Sequence, residues 1–424
     1  MKYLHLWLTW KWQAIIFISS SLLLMPLASS LVLADSAELQ SQRGAYLARV
    51  GNCMGCHTTR GGKPYAGGRK MRTPFGVFVT PNITPDDDTG IGQWDKEDFW
   101  QAMHHGKSKD GRYLYPVFPY IEYTKVTRQD SDMIFAYMHS LSPVAQNNPP
   151  HKIDSPYDNQ WLLFLWRAWY FKEGVYEPDS SKSEEWNRGA YLVQGLGHCS
   201  ACHTSRNVWG ASQDGELAGG EIMGTYWYAP SLISPLEAGV GDWPVEDIVE
   251  LLSTGITSHA VTSGPMATIV RQSLQHLSAD DMRAMAVYLQ SISEKEIDVK
   301  KTKKVPAMPE AVRQYLSKGE LIYEKHCQDC HGVSGQGMPN IYPPLAGNRS
   351  VTMASSLNTI RSVLYGGYPP STTGNLRPYG MPPYQHIIYD IEIAQVVSYI
   401  RNAWGNIGSL VSPFDVDQSR GNEY

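Results

Sequence analysis

Apolar positions recur at helical spacing in three stretches of the chain, each time in the same order. Arg43-Gly44-Ala45-Tyr46-Leu47 opens the first stretch, and Arg188-Gly189-Ala190-Tyr191-Leu192 opens the second. Lys318-Gly319-Glu320-Leu321-Ile322-Tyr323 plays the same part in the third. Each predicts a short amphipathic helix. In the first two stretches a second helical pattern follows, over Asp95–His105 and Val245–Thr254, and stops at a glycine, Gly106 or Gly255, as helices commonly do. Trp94 and Trp243 each stand 12 residues before that glycine. Asn82-Ile83-Thr84-Pro85 before Trp94 is matched by Leu232-Ile233-Ser234-Pro235 before Trp243. A last apolar-periodic helix closes each stretch, at roughly Asp130–Ser140, Ala279–Ile292 and Asp390–Ala403. Tyr137, Tyr288 and Tyr399 within these closing helices are expected to pack against the first helix or near a bound group. Self-similarity of this kind is the mark of one mostly α unit used three times.

Outside the repeats the pattern changes. An apolar run from Ala14 to Leu33 follows Lys2 and Lys11, and Val32-Leu33-Ala34 offers small residues just before Asp35. Residues 1–34 read as a secretory signal peptide. The run is also about long enough to span a bilayer, so an uncleaved anchor is the rival reading; Pro26 and the serines within it favour removal. Either way the body belongs outside the cytoplasm, in the periplasm. It divides into a unit at 35–141, a linker at 142–187, a unit at 188–293, a linker at 294–309 and a unit with tail at 310–424. Trp161–Tyr170 in the first linker is apolar on nearly all sides. It predicts a helix wedged between units or against a partner, with packing between units the preferred reading. Lys300, Lys301, Lys303 and Lys304 make the second linker a solvated segment. The net charge of −5 gives no case for nucleic acid as a partner.

The candidate chemistry sits just after the first helix of each unit. All 6 cysteines fall in Cys-x-x-Cys-His motifs: Cys53, Cys56 and His57; Cys199, Cys202 and His203; Cys327, Cys330 and His331. That spacing is the attachment site of a c-type haem, with two thiols forming thioethers and the adjacent imidazole binding iron. Four-cysteine zinc sites need such pairs in twos, and three pairs do not divide that way. A thioredoxin-like pair would not need the histidine. Three covalent haem c groups, in three tandem class I cytochrome c domains, are therefore expected. The 13 Trp and 25 Tyr suit large apolar haem pockets.

A thioether sulfur is the usual second axial ligand in cytochromes c and raises the potential. Met266, in Gly264-Pro265-Met266, and Met381, in Gly380-Met381-Pro382-Pro383, are the candidates for the second and third units, both expected in Gly/Pro loops before the last helix. The matching place in the first unit, within Leu114–Tyr120, holds Phe118, which cannot bind iron. Met103, His104, His105 and Met71 are the alternatives there, beside an iron left five-coordinate. No nucleophile–base pattern, phosphate loop or dinucleotide fingerprint is present, so a non-catalytic electron-transfer subunit is expected.

Long strings around these motifs resemble the tri-haem cytochrome c subunit of membrane-associated bacterial dehydrogenases acting on alcohols, gluconate, fructose or sorbitol, and of related aldehyde-oxidising complexes. They are RGAYLARVGNCMGCHT, TPFGVFVTPNITPDDDTGIGQW, LYPVFPY, EWNRGAYLVQGLGHCSACHTSRN, YPPLAGN and YIRNAWGN, and they cover essentially the whole mature chain. The resemblance implies a catalytic dehydrogenase partner of flavin, quinone or molybdenum type. It implies electrons passing through the haems to ubiquinone or a terminal oxidase, at the outer face of the inner membrane with peripheral membrane association. Family members commonly carry Met where Phe118 stands. Two rival readings remain: a stand-alone soluble electron carrier, and a haem enzyme using an open site on the first haem.

Overall fold

The computed structural model describes residues 38–213, 215–294 and 308–421. The expected signal segment and the lysine-rich linker lie outside the described residues. The first unit contains α1 (38–50), α2 (Lys96–His105) and α3 (Arg128–Ser140), and α4 (Gln160–Tyr170) follows in the connecting segment. The second unit contains α5 (Glu184–Tyr191), α6 (Val245–Thr254), α7 (Gly264–Gln272) and α8 (Ala279–Ile292). The third contains α9 (Glu310–His326), α10 (Leu357–Tyr365) and α11 (Asp390–Ile400), followed by α12 (Pro413–Ser419).

The first and last helices of each unit cross in the same way, and the sequence shows why. A Cβ on Gly44 would overlap the carbonyl of Met133 in α3; on Gly189, that of Ala284 in α8; on Gly319, that of Gln395 in α11. Only glycine lets the two backbones approach so closely. Tyr137, Tyr288 and Tyr399 lie at these crossings, their Cβ atoms beside the same glycines. α2 is fixed by a capping box between Asp95 and Asp98 and ends at Gly106, whose φ of 56° is left-handed.

The first and second units share one apolar core, which joins Leu47, Val50, Ile134 and Met138 to Leu192, Leu196, Met285 and Leu289. Their contact has approximate twofold symmetry. Tyr46 of α1 donates its hydroxyl to Asp281 Oδ2 at 2.5 Å, and Tyr191 of α5 donates to Asp130 Oδ2 at 2.6 Å. The two tyrosines occupy the same place in the Arg-Gly-Ala-Tyr-Leu repeat. The two aspartates occupy the same place in α8 and α3, three residues after the capping Ser278 and Thr127. The third unit has its own core around Tyr323, Leu364, Ile393 and Val397. It meets the second through polar contacts: the Asn358 side chain bonds both the N–H (3.0 Å) and the carbonyl (2.7 Å) of Tyr228, and Arg349 donates to the Gly239 carbonyl at 2.6 Å.

Short antiparallel strands decorate the helices. β1 (Lys70–Thr73) pairs with β2 (Gly76–Val79), and β2 pairs with β3 (Lys152–Ile153). The segment after α3 therefore folds back on the first unit, where Gln146 and Asn148 also bond the Ala66 carbonyl. In the second unit β4 (Gly220–Ile222) pairs with β5 (Trp227–Ala229). The tail packs too: Val411 and Val416 are buried in the third core. The fully buried Arg401 donates to the carbonyls of Val351, Met353 and Ser409 at 2.6–3.0 Å.

α4 departs from the expectation of a wedge between units. Of its residues only Leu163 and Arg167 are buried. Trp161 is 73% exposed and Trp169 81%. Its run of apolar residues is wide, but the stripe it turns inward, Gln160, Leu163 and Arg167, meets the backbone of Tyr113 and His105 and the rings of Tyr113, Tyr120 and Phe171.

Candidate haem-attachment sites

Each Cys-x-x-Cys-His motif forms a single helical turn, at Cys53–Cys56, Ser200–His203 and Gln328–His331. The first two turns are entered through a left-handed residue, Asn52 (φ 50°) and His198 (φ 41°), which reverses the chain after α1 and after the helical stretch that extends α5. The six thiols are unbonded to one another. Burial pushes the thiols of Cys53, Cys199 and Cys327 up to about 12. Among the described residues no cluster of three or more His, Cys, Asp or Glu side chains has the arrangement of a metal site.

The histidines share a second arrangement, built from residues that the motif does not contain. His57 Nδ1 lies 2.8 Å from the Pro81 carbonyl, His203 Nδ1 2.7 Å from that of Pro230, and His331 Nδ1 3.2 Å from that of Pro343. A carbonyl only accepts, so Nδ1 carries the proton and Nε2 is left as an acceptor able to bind a metal. Burial lowers all three histidine pKa values and so favours the neutral ring, opposed only by the hydrogen bond to the proline carbonyl. The backbone is held as well. The N–H of Gly67 donates to the His57 carbonyl at 2.7 Å, that of Gly219 to His203 at 2.7 Å, and that of Gly337 to His331 at 2.9 Å. All three glycines have left-handed φ angles, and a Cβ on any of them would press into the backbone that carries the proline carbonyl. Two thiols beside a neutral imidazole with a fixed tautomer fit a covalently attached haem, the group implied by the spacing.

Sequence reasoning singled out the cysteines and histidines but not these glycines and prolines. From the histidine, the glycine lies 10, 16 and 6 residues on, and the proline 24, 27 and 12. The spacing is too variable to read as a motif. The one available signal was a proline pair around each of Asn82–Thr84 and Leu232–Ser234, Pro81 with Pro85 and Pro230 with Pro235, separated by three residues in the first and four in the second.

The candidate second ligands each border a core that a motif cysteine also borders. Met266 packs against the shared core that also contacts Cys199, and Met381 packs against the third core with Cys327. Met266 is not in a loop as expected. It lies in the first turn of α7, where Pro265 begins the helix, since proline at this position costs no hydrogen bond. Met381 is in a loop bonded to Gly367 through both its N–H (2.8 Å) and its carbonyl (3.0 Å). Phe118 packs against the core beside Cys53, its ring edge-on to Tyr123 at 5.5 Å. Of the alternatives, Met103 is buried in the same core. His104 stacks on Trp100 with ring centres 4.3 Å apart and lies 3.4 Å from Thr124 Oγ1. His105 pairs with Glu173. Met71 is half-buried on β1. The two histidines thus point to partners of their own.

A buried carboxylate of the first unit reaches the second motif turn. Glu122 is 3% exposed, accepts from Ser200 Oγ at 2.9 Å and lies 3.9 Å from Arg206. Burial pushes its carboxyl pKa up, and Arg206 and Ser200 offset part of that. Arg206 also donates to the Ala201 carbonyl at 3.0 Å, while Arg69 bonds the Gly55 carbonyl, so a guanidinium clamps the same position of both motifs.

The Cytochrome c family model matches residues 41–142 and 316–404, leaving the second motif outside the matched regions. The cytochrome c subunit of alcohol dehydrogenase (quinone) from Gluconobacter oxydans is 37% identical over 411 residues, 91% of this chain and 83% of that one. The chain belongs to the cytochrome c subunits of dehydrogenases. The gluconate 2-dehydrogenase cytochrome c subunit of Pantoea cypripedii matches this cytochrome c subunit at 37% over 383 residues, 86% of each chain. A nicotinate dehydrogenase subunit of Pseudomonas putida is 38% identical over 380 residues, 87% of this chain but 31% of that much longer protein. As a cytochrome c subunit, the chain carries covalent haem c and transfers electrons from a dehydrogenase.

Proposed function

We propose that this cytochrome c subunit holds three haems in three tandem class I domains and passes electrons from a periplasmic dehydrogenase to the respiratory chain. Cys53 with Cys56, Cys199 with Cys202, and Cys327 with Cys330 attach them, and His57, His203 and His331 are the proximal ligands. Met266 and Met381 are the second ligands in the second and third domains, and the first haem has no methionine at the Phe118 position. Haem at these sites supplies reversible one-electron chemistry. The chain's own residues fix each imidazole from both sides, exclude water with the shared core and set the spacing of the sites. The observation that carries this reading is the threefold His–Pro–Gly arrangement at the motifs.

The partner is a flavin-, quinone- or molybdenum-type catalytic subunit that oxidises a small alcohol, sugar, sugar acid or aldehyde. Relatives are named for alcohol, gluconate, fructose and nicotinate, so the substrate is set by the partner. Electrons leave to ubiquinone or a terminal oxidase at the outer face of the inner membrane. To test the assignment, the tagged chain is isolated with its partner and offered each substrate class under anaerobic conditions. The expected result is reduction of the haem absorption bands by one class. A chain that purifies alone, with haems that no class reduces, contradicts it.

A further inference from the structure

The polarity of α4 is inverted. Its inward stripe is Gln160, Leu163 and Arg167, at positions i, i+3 and i+7 of one helix face. Gln160 bonds the N–H and carbonyl of Tyr113 at 2.8 and 3.3 Å. Arg167 is 9% exposed, donates to the His105 carbonyl at 2.6 Å and lies 4.7–4.9 Å from the ring centres of Tyr113, Tyr120 and Phe171. The outward face is Trp161, Leu162, Leu165 and Trp169. A helix on the surface of a water-soluble protein shows the reverse arrangement.

The apolar face continues beyond the helix. Val208 (83% exposed) and Trp209 (57%), from the second unit, extend it, and Trp166 Nε1 fixes the join by donating to the Trp209 carbonyl at 2.8 Å. The patch therefore spans two units and is held rigid. Trp161 and Trp169 are eight residues apart, about 12 Å along the axis, so the helix lies flat along the surface with an indole near each end. Charge decides between occupants. Residues 159–172 contain no carboxylate, and their cations are the inward Arg167 and the terminal Lys172; Asp158 and Glu173 flank the segment, and Glu173 pairs with His105. The outward face carries no ionised group, which complements the acyl boundary of a bilayer, and Lys172 at its end suits a lipid phosphate. Tryptophan-flanked apolar faces are the pattern of helices lying in a membrane interface. Among the described residues no helix is long and apolar enough to cross a membrane.

We propose that α4, with Val208 and Trp209, is a peripheral membrane-docking face that lies in the outer leaflet of a phospholipid bilayer. This rests on the periplasmic, membrane-facing reading above and names the element responsible for it.

The test uses the haem-loaded protein and vesicles of phosphatidylethanolamine and phosphatidylglycerol, with brominated acyl chains as a depth probe. The wild type should co-sediment with the vesicles, and bromine should quench its tryptophan fluorescence. The W161S/W169S double variant should lose at least tenfold in vesicle affinity, with unchanged haem spectra and unchanged haem reduction by the dehydrogenase in solution. Three results overturn the proposal: a wild type that ignores vesicles, a double variant that binds them equally well, or a double variant that keeps vesicle binding but no longer associates with the dehydrogenase subunit or with a second copy. Loss of haem reduction in the wild type would instead count against the electron-transfer reading, so the two failures are distinguishable.

Discussion

His57, His203 and His331 each bind a proline carbonyl through Nδ1 and leave Nε2 as an acceptor. That places the specificity of the site in a glycine as much as in the histidine. Gly67, with φ of 75°, has no room for a Cβ against Pro81. Gly67→Ala should cost at least about 2 kcal/mol through left-handed strain and overlap, measured by chemical denaturation. It should also disturb the electronic spectrum of one haem and spare the other two. Phe118 leads to a second expectation. Phe118→Met should raise the potential of one haem toward the other two in a redox titration; three unchanged potentials would show that another side chain already serves there. Cysteine and histidine were legible in the sequence because covalent attachment fixes their spacing. Gly67, Gly219, Gly337 and their prolines were not, because loops of different length bring them to the same place.

The helices are the level at which the sequence was most readable. α6 and α8 have the bounds that periodicity predicts, Val245–Thr254 and Ala279–Ile292, because each has both an apolar face and an end signal. α4 was readable as a helix but not in orientation, since an all-apolar stretch has no preferred face until Arg167 finds its cage of rings. The reciprocal contacts between helices were also hidden, although both tyrosines stand in the repeated string. Tyr46→Phe and Tyr191→Phe should each cost about 1–2 kcal/mol of stability, as expected for a partly exposed hydrogen bond to a carboxylate. The two losses should depart from additivity when combined, since Arg188 binds Asp281 and lies over the Tyr191 ring, which links the two contacts. Asp281 gives this contact a pH dependence. Burial opposes its ionisation, but bonds from Arg188 and Tyr46 outweigh that and hold its pKa below the usual carboxylate value. Its contribution to stability is present above about pH 4 and is lost as pH falls through the depressed value. Thermal unfolding of Asp281→Asn should therefore show a shallower loss of stability than the wild type on going from pH 4 to pH 2.

At the scale of the molecule, three like units are joined unequally. The first two share a core, and Glu122 of the first reaches Ser200 and Arg206 at the motif turn of the second. The third keeps its own core and meets the second through Asn358, Arg349 and their backbone partners. The repeat itself was legible, since Gly44, Gly189 and Gly319 mark the same crossing. The fusion of two units was not, because it depends on which apolar faces remain uncovered after each unit folds. The family model covers the first and third motifs, so the second, between them, is where the account of three equivalent attachment sites is most exposed. The intact mass of the haem-loaded protein tests it most directly. The account predicts the polypeptide mass plus three covalently attached haems, with all six cysteines consumed. A mass corresponding to two haems, with Cys199 and Cys202 still open to alkylation, would contradict it.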